Sequence, residues 1–432
     1  MVLMMNFNEY LPQGAGCELR TERTKTKSVQ FSGNQFDSIN SADQVSHTVR
    51  LLQDGKLTTA SSSKPDSGEE LIKQAAAVVR YGSPQDVPFV GKTDITPLHL
   101  EDAASMTSKE MIEMMADLLA DLRGLDDRLT ASTYLRSAIS EVSMQTSNGF
   151  DNSYRKSIWS YGASVDLTQG DDRLGLYESR ASMGPNFDPK EIKDTIGKKL
   201  EYAKNVVPFK AGAYPVIFTP GEVGYIINPV TASLNGLAVY RQASPWSDKL
   251  GQELLDPRFT LVDDASLDGQ WTSKPFDLEG TPTQRNILVE SGRLKDLILN
   301  RKVAALLGKE SSGNAAAMGP AANHLILAPG TKSLEELIKS IDYGLLIDGT
   351  MGAWSGNPFS GIVTGTISMG LAIENGKIVG RVKDCMYTIN AFEHFRKHFI
   401  DCSMETETNG AGFFASSNFP HVLLDEVVIS TK

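Results

Sequence analysis

Apolar residues recur at helical spacing in three stretches of the first half of this chain and at alternating positions through most of the remainder. Met111, Ile112, Met115, Leu118, Leu119 and Leu122 fall on one face of a helix, and Thr107 with Glu110 stands ahead of them at capping-box spacing. Ser67 with Glu70 repeats that spacing ahead of LIKQAAAVV, and Gly82 sits where the helix should stop. Asp188, followed by Pro189 and Glu191, predicts a third helix running to Ala203. Between the helices, Ile39 to Ala60 reads as two strands joined at Asp54-Gly55. Thr133 to Met183 reads as several more, broken at Asn148-Gly149 and at Gly170 to Asp172.

After Ala203 the texture changes to short β-rich runs separated by Gly, Pro and Asn, with few helical stretches. Turns at Ser291-Gly292 and Asn375-Gly376 lie between alternating segments, as hairpins require. One helix is capped by Ser333 and Glu336, and another is predicted from Ala391 to Ile400. The pattern therefore predicts an α+β protein: a first domain over residues 1–205 that is itself α/β or α+β, and an antiparallel β-rich C-terminal domain over residues 206–432.

Composition narrows the function classes. A chain of 432 residues with 41% hydrophobic and 22% charged content can bury two cores and is not disordered. A net charge of -11 without a long Lys/Arg cluster argues against a nucleic-acid partner, because phosphate binding relies on clustered cations. The opening MVLMMNFNEYLP has neither a basic start nor a small-residue cleavage site, and no apolar run reaches membrane-spanning length. Cys17, Cys385 and Cys402 are odd in number and far apart, which fits free thiols in a reducing compartment. The expectation is a cytoplasmic protein that engages no membrane.

Candidate chemistry is sparse. His394 and His398 lie four apart with Asp401 and Cys402 following, a spacing that could gather metal ligands on one helix face. Against that, Phe392, Phe395 and Phe399 mark a buried stripe, which would leave the histidines on the polar side with Arg396 and Lys397. Asp277 and Glu279 form a carboxylate pair two residues apart, with no base or nucleophile beside them in sequence. Ile362 stands where a phosphate-loop lysine would follow Gly356 and Gly361, and no GxSxG elbow occurs. No catalytic residue is assigned.

Six segments in order carry a family likeness: FKAGAYPVIFTP (209–220), VYRQASPWSDKLGQ (239–252), PFDLEG (275–280), SSGNA (311–315), LAPGTKSLEELI (327–338) and GLAIENGKI (370–378). The chain resembles the TldD/PmbA family, the so-called modulators of DNA gyrase. The resemblance implies an N-terminal α/β domain, an antiparallel barrel-like C-terminal domain and assembly in pairs. In the active branch it further implies an HExxxH helix that, with a later cysteine, holds zinc and hydrolyses peptides. Counted from Pro220, the six motif positions are Asn228, Pro229, Val230, Thr231, Ala232 and Ser233. None is a customary zinc ligand, and Pro229 is expected to disturb a helix there. No histidine lies between His99 and His324, so no shift of register restores the motif, and the stretch TETNGAGFFASSNFPH holds no cysteine. The pattern resembles the PmbA/TldE branch. That implies a non-catalytic subunit with no cofactor of its own, paired with a TldD-like zinc subunit and binding extended peptide. Asp277, Glu279 and Gly280 of PFDLEG and Asn314 of SSGNA are expected near the peptide cavity. The alternatives are a stand-alone homodimeric scaffold for peptide or protein, and an autonomous hydrolase built on His394 and His398.

Overall fold

Two sheets organise the chain. The computed structural model describes residues 9–65, 67–170, 172–410 and 415–431. The first sheet contains β1 (Gly16–Ser32), β2 (Gln35–Gln53), β3 (Lys56–Ser62), β4 (Ser83–Pro84), β5 (Thr130–Thr146), β6 (Asp151–Gln169) and β7 (Asp172–Ser182). Their order is β4-β3-β2-β1-β5-β6-β7, with antiparallel pairing throughout. Asp54 and Gly55 both adopt left-handed backbone (φ 49° and 70°), as a two-residue hairpin with the right twist demands. The sequence pattern does not foreshadow β1: its middle, RTERTKTK, is polar on both faces and only its ends are buried.

Helices α1 (Gly68–Val78), α2 (Ser108–Arg123) and α3 (Pro189–Ala203) lie where their start signals put them. Thr107 and Glu110 form the reciprocal capping box of α2, and Asp188 accepts from the Lys190 amide at the head of α3. Ser67 makes no such bond; its hydroxyl is buried without a partner among the described residues. The expected capping box at α1 is thus corrected to a helix start without a side-chain cap.

The second sheet has eleven strands. They are β8 (Gly212–Phe218), β9 (Leu261–Asp264), β10 (Arg285–Glu290) and β11 (Arg293–Leu294), then, after a separate small pair of β12 (Ala315–Ala316) and β13 (Gly319–Pro320), β14 (His324–Leu327). The rest are β15 (Tyr343–Met351), β16 (Ile362–Glu374), β17 (Lys377–Val382), β18 (Cys385–Asn390), β19 (Phe399–Asn409) and β20 (Ser416–Thr431). Strands β8, β15, β16, β18 and β20 close into a ring because β20 pairs with β8 as well as with β18. The β8–β15 and β14–β20 pairings are parallel, so the closed barrel is mixed and not purely antiparallel.

Alternation explains how this barrel packs. Val216, Phe218, Leu345, Ile347, Val422 and Leu424 point into one core, while the intervening Ile217, Leu346 and Leu423 join a second core with Ile192, Ile196 and Leu200 of α3. This part of the barrel wall is apolar on both faces because α3 and the first sheet cover its outside.

Helices are more frequent in the second half than the sequence texture suggests: α4 (Pro220–Ser233), α5 (Gly236–Tyr240), α6 (Arg301–Leu306), α7 (Leu334–Lys339) and α8 (Ala391–Lys397). The last is shorter than predicted, since Phe399 already begins β19. Helix α4 runs through Pro229 to Ser233, which corrects the expectation that this proline would disturb a helix. Val223, Ile226, Ile227 and Val230 are fully buried around it, so tertiary packing outweighs the one lost hydrogen bond. Among the described residues no helix is long and apolar enough to cross a membrane.

Candidate functional site

A cavity of about 810 Å³ opens where α3 and β7 face the barrel. Its walls come from Gly175–Arg180 on β7, the start of α4, Leu346 and Asp348–Thr350 on β15, Met369 and Leu371 on β16, and His421 on β20. Strand β7 is the edge of the first sheet, so a strand edge unpaired among the described residues borders the cavity. A register shift in the β15–β16 pairing between Ile347 and Thr350 lies at the opposite wall, in the stretch that carries Asp348 and Thr350.

The polar groups of the cavity are sorted by charge. The Lys199 ammonium bonds Glu178 and lies 2.6 Å from Asp348, and Arg180 adds a 3.2 Å contact to Glu178. Burial alone would depress Lys199, but Asp348 and Glu178 outweigh it and hold the ammonium above its ordinary value. Glu222, the third residue of α4, is 7% exposed and accepts from Thr350 Oγ1 at 2.6 Å. Burial pushes its carboxyl up to about 7, with the Thr350 hydrogen bond opposing.

His421 is also buried, and burial lowers it to about 4, so the ring is neutral at pH 7. Ser403 Oγ donates to the Glu405 carbonyl at 2.7 Å, which makes His421 Nδ1 the donor in its 3.2 Å contact with that oxygen. The Nε2 atom then carries a lone pair.

The residues of the degenerate motif lie two turns further along α4. Ser233 is fully buried and its hydroxyl donates to the Pro229 carbonyl at 2.7 Å, while Thr231 donates to the Asn228 carbonyl at 3.0 Å. An amide, a pyrrolidine ring and a hydroxyl already bonded to backbone do not make a zinc site. Among the described residues no group of three or more His, Cys, Asp or Glu side chains is placed to hold a metal. Residues 411–414 of the TETNGAGFFASSNFPH stretch lie outside the described residues.

The rings of His394 and His398 lie with centroids 5.3 Å apart, tilted by 54° to one another. His394 is not on the polar face: it is buried, with Nδ1 2.8 Å from the Asn390 carbonyl and Nε2 3.3 Å from that of Glu426. The nearer carbonyl takes the Nδ1 proton and the Nε2 lone pair is capped by the Glu426 carbonyl, so neither nitrogen faces open space where a cation could sit.

Asp277, Glu279, Gly280 and Asn314 gather elsewhere, where the barrel domain meets the first sheet. Asp277 accepts from the amides of Glu279, Thr281 and Ala315, and Asn314 donates to Asp263. Glu279 accepts from Asn300 and from the Arg301 amide. Gly280 is left-handed (φ 74°), and a Cβ there would lie 2.7 Å from Val90 of the other layer. None of the four lines the large cavity, although Glu279 reaches a small cleft with Glu18 and Arg50.

Glu178, Lys199, Glu222, Asp348 and His421 were not singled out by sequence reasoning, because they come from five separate elements. One signal was present. Thr219-Pro220-Gly221-Glu222 has capping-box spacing, yet Glu222 turns to Thr350 and Thr219 makes no side-chain cap.

Comparison with known proteins agrees with this architecture. The PmbA/TldA metallopeptidase C-terminal domain matches residues 211–431, and PmbA/TldA metallopeptidase domain 1 matches residues 17–79. The chain belongs to the PmbA/TldD metallopeptidase family. It is 26% identical over 383 residues to the metalloprotease PmbA homolog of Haemophilus influenzae, covering 84% of this chain and 82% of that protein. It is 24% identical over 412 residues to metalloprotease PmbA of Escherichia coli O157:H7, covering 91% and 89%. The crystal structure of TldE from Thermococcus kodakarensis superposes with a TM-score of 0.89 at 22% identity, covering 96% of each chain.

Proposed function

We propose that this chain is a TldE-type subunit, without a catalytic metal of its own, that pairs with a zinc-bearing TldD-type subunit in a cytoplasmic peptidase and holds extended peptide. The observation that carries the proposal is the donor set on α4. Where the family's active branch has two histidines and an acid, Asn228, Pro229 and Ser233 offer nothing that could polarise a water. Zinc and hydrolysis then belong to the partner.

The edge of β7 supports the peptide half of the reading. Edge strands bind extended peptides by adding one more strand, with backbone hydrogen bonds giving affinity that does not depend on sequence. Here the edge lies against a cavity of the size that small ligands occupy, about 300–1,000 Å³. Three buried cysteines without disulfides fit a reducing compartment.

The test is co-expression with a TldD-type protein from the same organism. A stable complex with peptidase activity that neither chain shows alone, and that zinc chelation abolishes, is the expected result. Failure of the two chains to associate refutes the pairing. Peptide binding by a homodimer that ignores any TldD-type protein would establish the stand-alone scaffold instead.

A further inference from the structure

The charges lining the large cavity do not balance among themselves. Its buried ammonium, Lys199, is already shared between Glu178 and Asp348. Glu222, at 7% exposure, makes no ion pair among the described residues: Thr350 bonds it through a neutral hydroxyl and the backbone, Asp348 repels it, and the pull of Lys199 is the smallest influence on it. A carboxyl taken out of water without a counter-ion is costly in the charged form, and a ligand that brings a cation removes the cost.

The second observation is His421, 8% exposed and lining the same cavity, whose Nδ1–H is taken by Ser403. Its Nε2 lone pair has no partner among the described residues. Both groups accept hydrogen bonds, and the complement of two buried acceptors is a donor-rich ligand. An ammonium has three N–H donors and no acceptor, and a peptide amide adds another N–H. Leu176, Leu346, Met369 and Leu371 supply apolar wall for a side chain beside it.

We propose that this cavity receives a primary ammonium joined to an apolar side chain, the amino terminus of a peptide, with Glu222 as counter-ion and His421 Nε2 accepting from a second N–H. Assigning the ammonium to a peptide rests on the function proposed above; the preference for an ammonium does not. Glu222 is titrated among Asp348 of β15, Lys199 of α3, Glu178 of β7, Glu407 of β19, Tyr225 of its own helix, Tyr387 of β18 and His421 of β20. Binding requires the carboxylate, so it releases a proton in mildly acid solution. Affinity rises from pH 6 and falls again once the ligand amine deprotonates, giving a maximum at about pH 7.5.

The experiment is calorimetry on the full chain without its partner, with leucyl-leucinamide and its N-acetyl derivative as probes. The free amine is expected to bind at least about tenfold more tightly than the acetylated form, the scale of losing a buried charge pair. Glu222→Gln, checked for an unchanged melting curve, is expected to remove that preference. Equal binding of the two probes, a preference that survives Glu222→Gln, or no binding of the free amine at about 1 mM overturns the proposal. If Glu222→Gln does not fold, the wild-type pH profile decides: a maximum supports the proposal and a flat profile refutes it. Because no partner is present, failure here removes the ligand assignment alone, whereas failure to associate removes the subunit reading.

Discussion

Replacing Arg50 by Met weakens the joint between the first sheet and the barrel domain, and more so in alkaline than in acid solution. Arg50 on β2 lies 3.3 Å from Glu18 of β1 and 3.8 Å from Glu279 of the PFDLEG turn, with its guanidinium 5.5 Å from the centre of the Phe89 ring. Glu18 is only 2% exposed, so loss of the cation strands a buried carboxylate near a second one. Breaking a fully buried pair from one side costs about 3–5 kcal/mol; Arg50 keeps 18% of its side-chain surface, which sets the expectation near the lower end, about 3 kcal/mol.

The pH dependence follows from Glu18, which burial pushes up to about 7 against the pull of Arg50. The folded chain binds this proton at higher pH than the unfolded chain does. Stability from Glu18 therefore increases as pH falls from about 7 toward the ordinary carboxyl value of about 4.3. In Arg50→Met the stranded charge disappears on protonation, so the loss measured by urea unfolding at pH 8 shrinks at pH 5. An equal loss at both values would show that Arg50 acts through packing and refute the electrostatic account.

Three further outcomes are expected. Thr107→Ala lowers stability by about 1 kcal/mol because it breaks a formed capping box, whereas Ser67→Ala changes it by less than about 0.5 kcal/mol, both read from urea midpoints. Gly280→Ala destabilises by about 2 kcal/mol, since a left-handed backbone and a Cβ 2.7 Å from Val90 both oppose it; a neutral result in thermal melts would contradict so close an approach of the two layers there. EDTA is expected to shift the melting midpoint of the isolated chain by less than about 1 °C, because among the described residues no group of three or more His, Cys, Asp or Glu side chains is placed to hold a structural metal. A larger shift would reveal a metal site in this chain.

Much of the architecture was legible where local signals and tertiary packing agree. The α2 box, the Asp188 start of α3 and the hairpins at Asp54-Gly55 and Asn375-Gly376 all formed as their spacing predicts. Ser67 has the same spacing as Thr107 but no cap bond, so spacing alone does not guarantee the contact. Helix α4 escaped notice because it is buried on most sides and interrupted by proline, which leaves no amphipathic stripe to read. The cavity was illegible for another reason: Glu178, Lys199, Glu222, Asp348 and His421 meet only after the barrel closes against α3. For Asp348 the only trace was a single carboxylate after the apolar run of GLLIDGT.

The place of β7 at the margin of its sheet has a consequence for solubility. Open sheet margins invite self-association, and proteins ordinarily blunt them with charge, bulges or a covering element. Strand β7 carries Asp172, Arg173, Glu178 and Arg180 within DRLGLYESRAS, so charge of both signs runs along this margin. A second copy of the chain that stacked rim to rim would have to bury those charges, which disfavours aggregation through this edge.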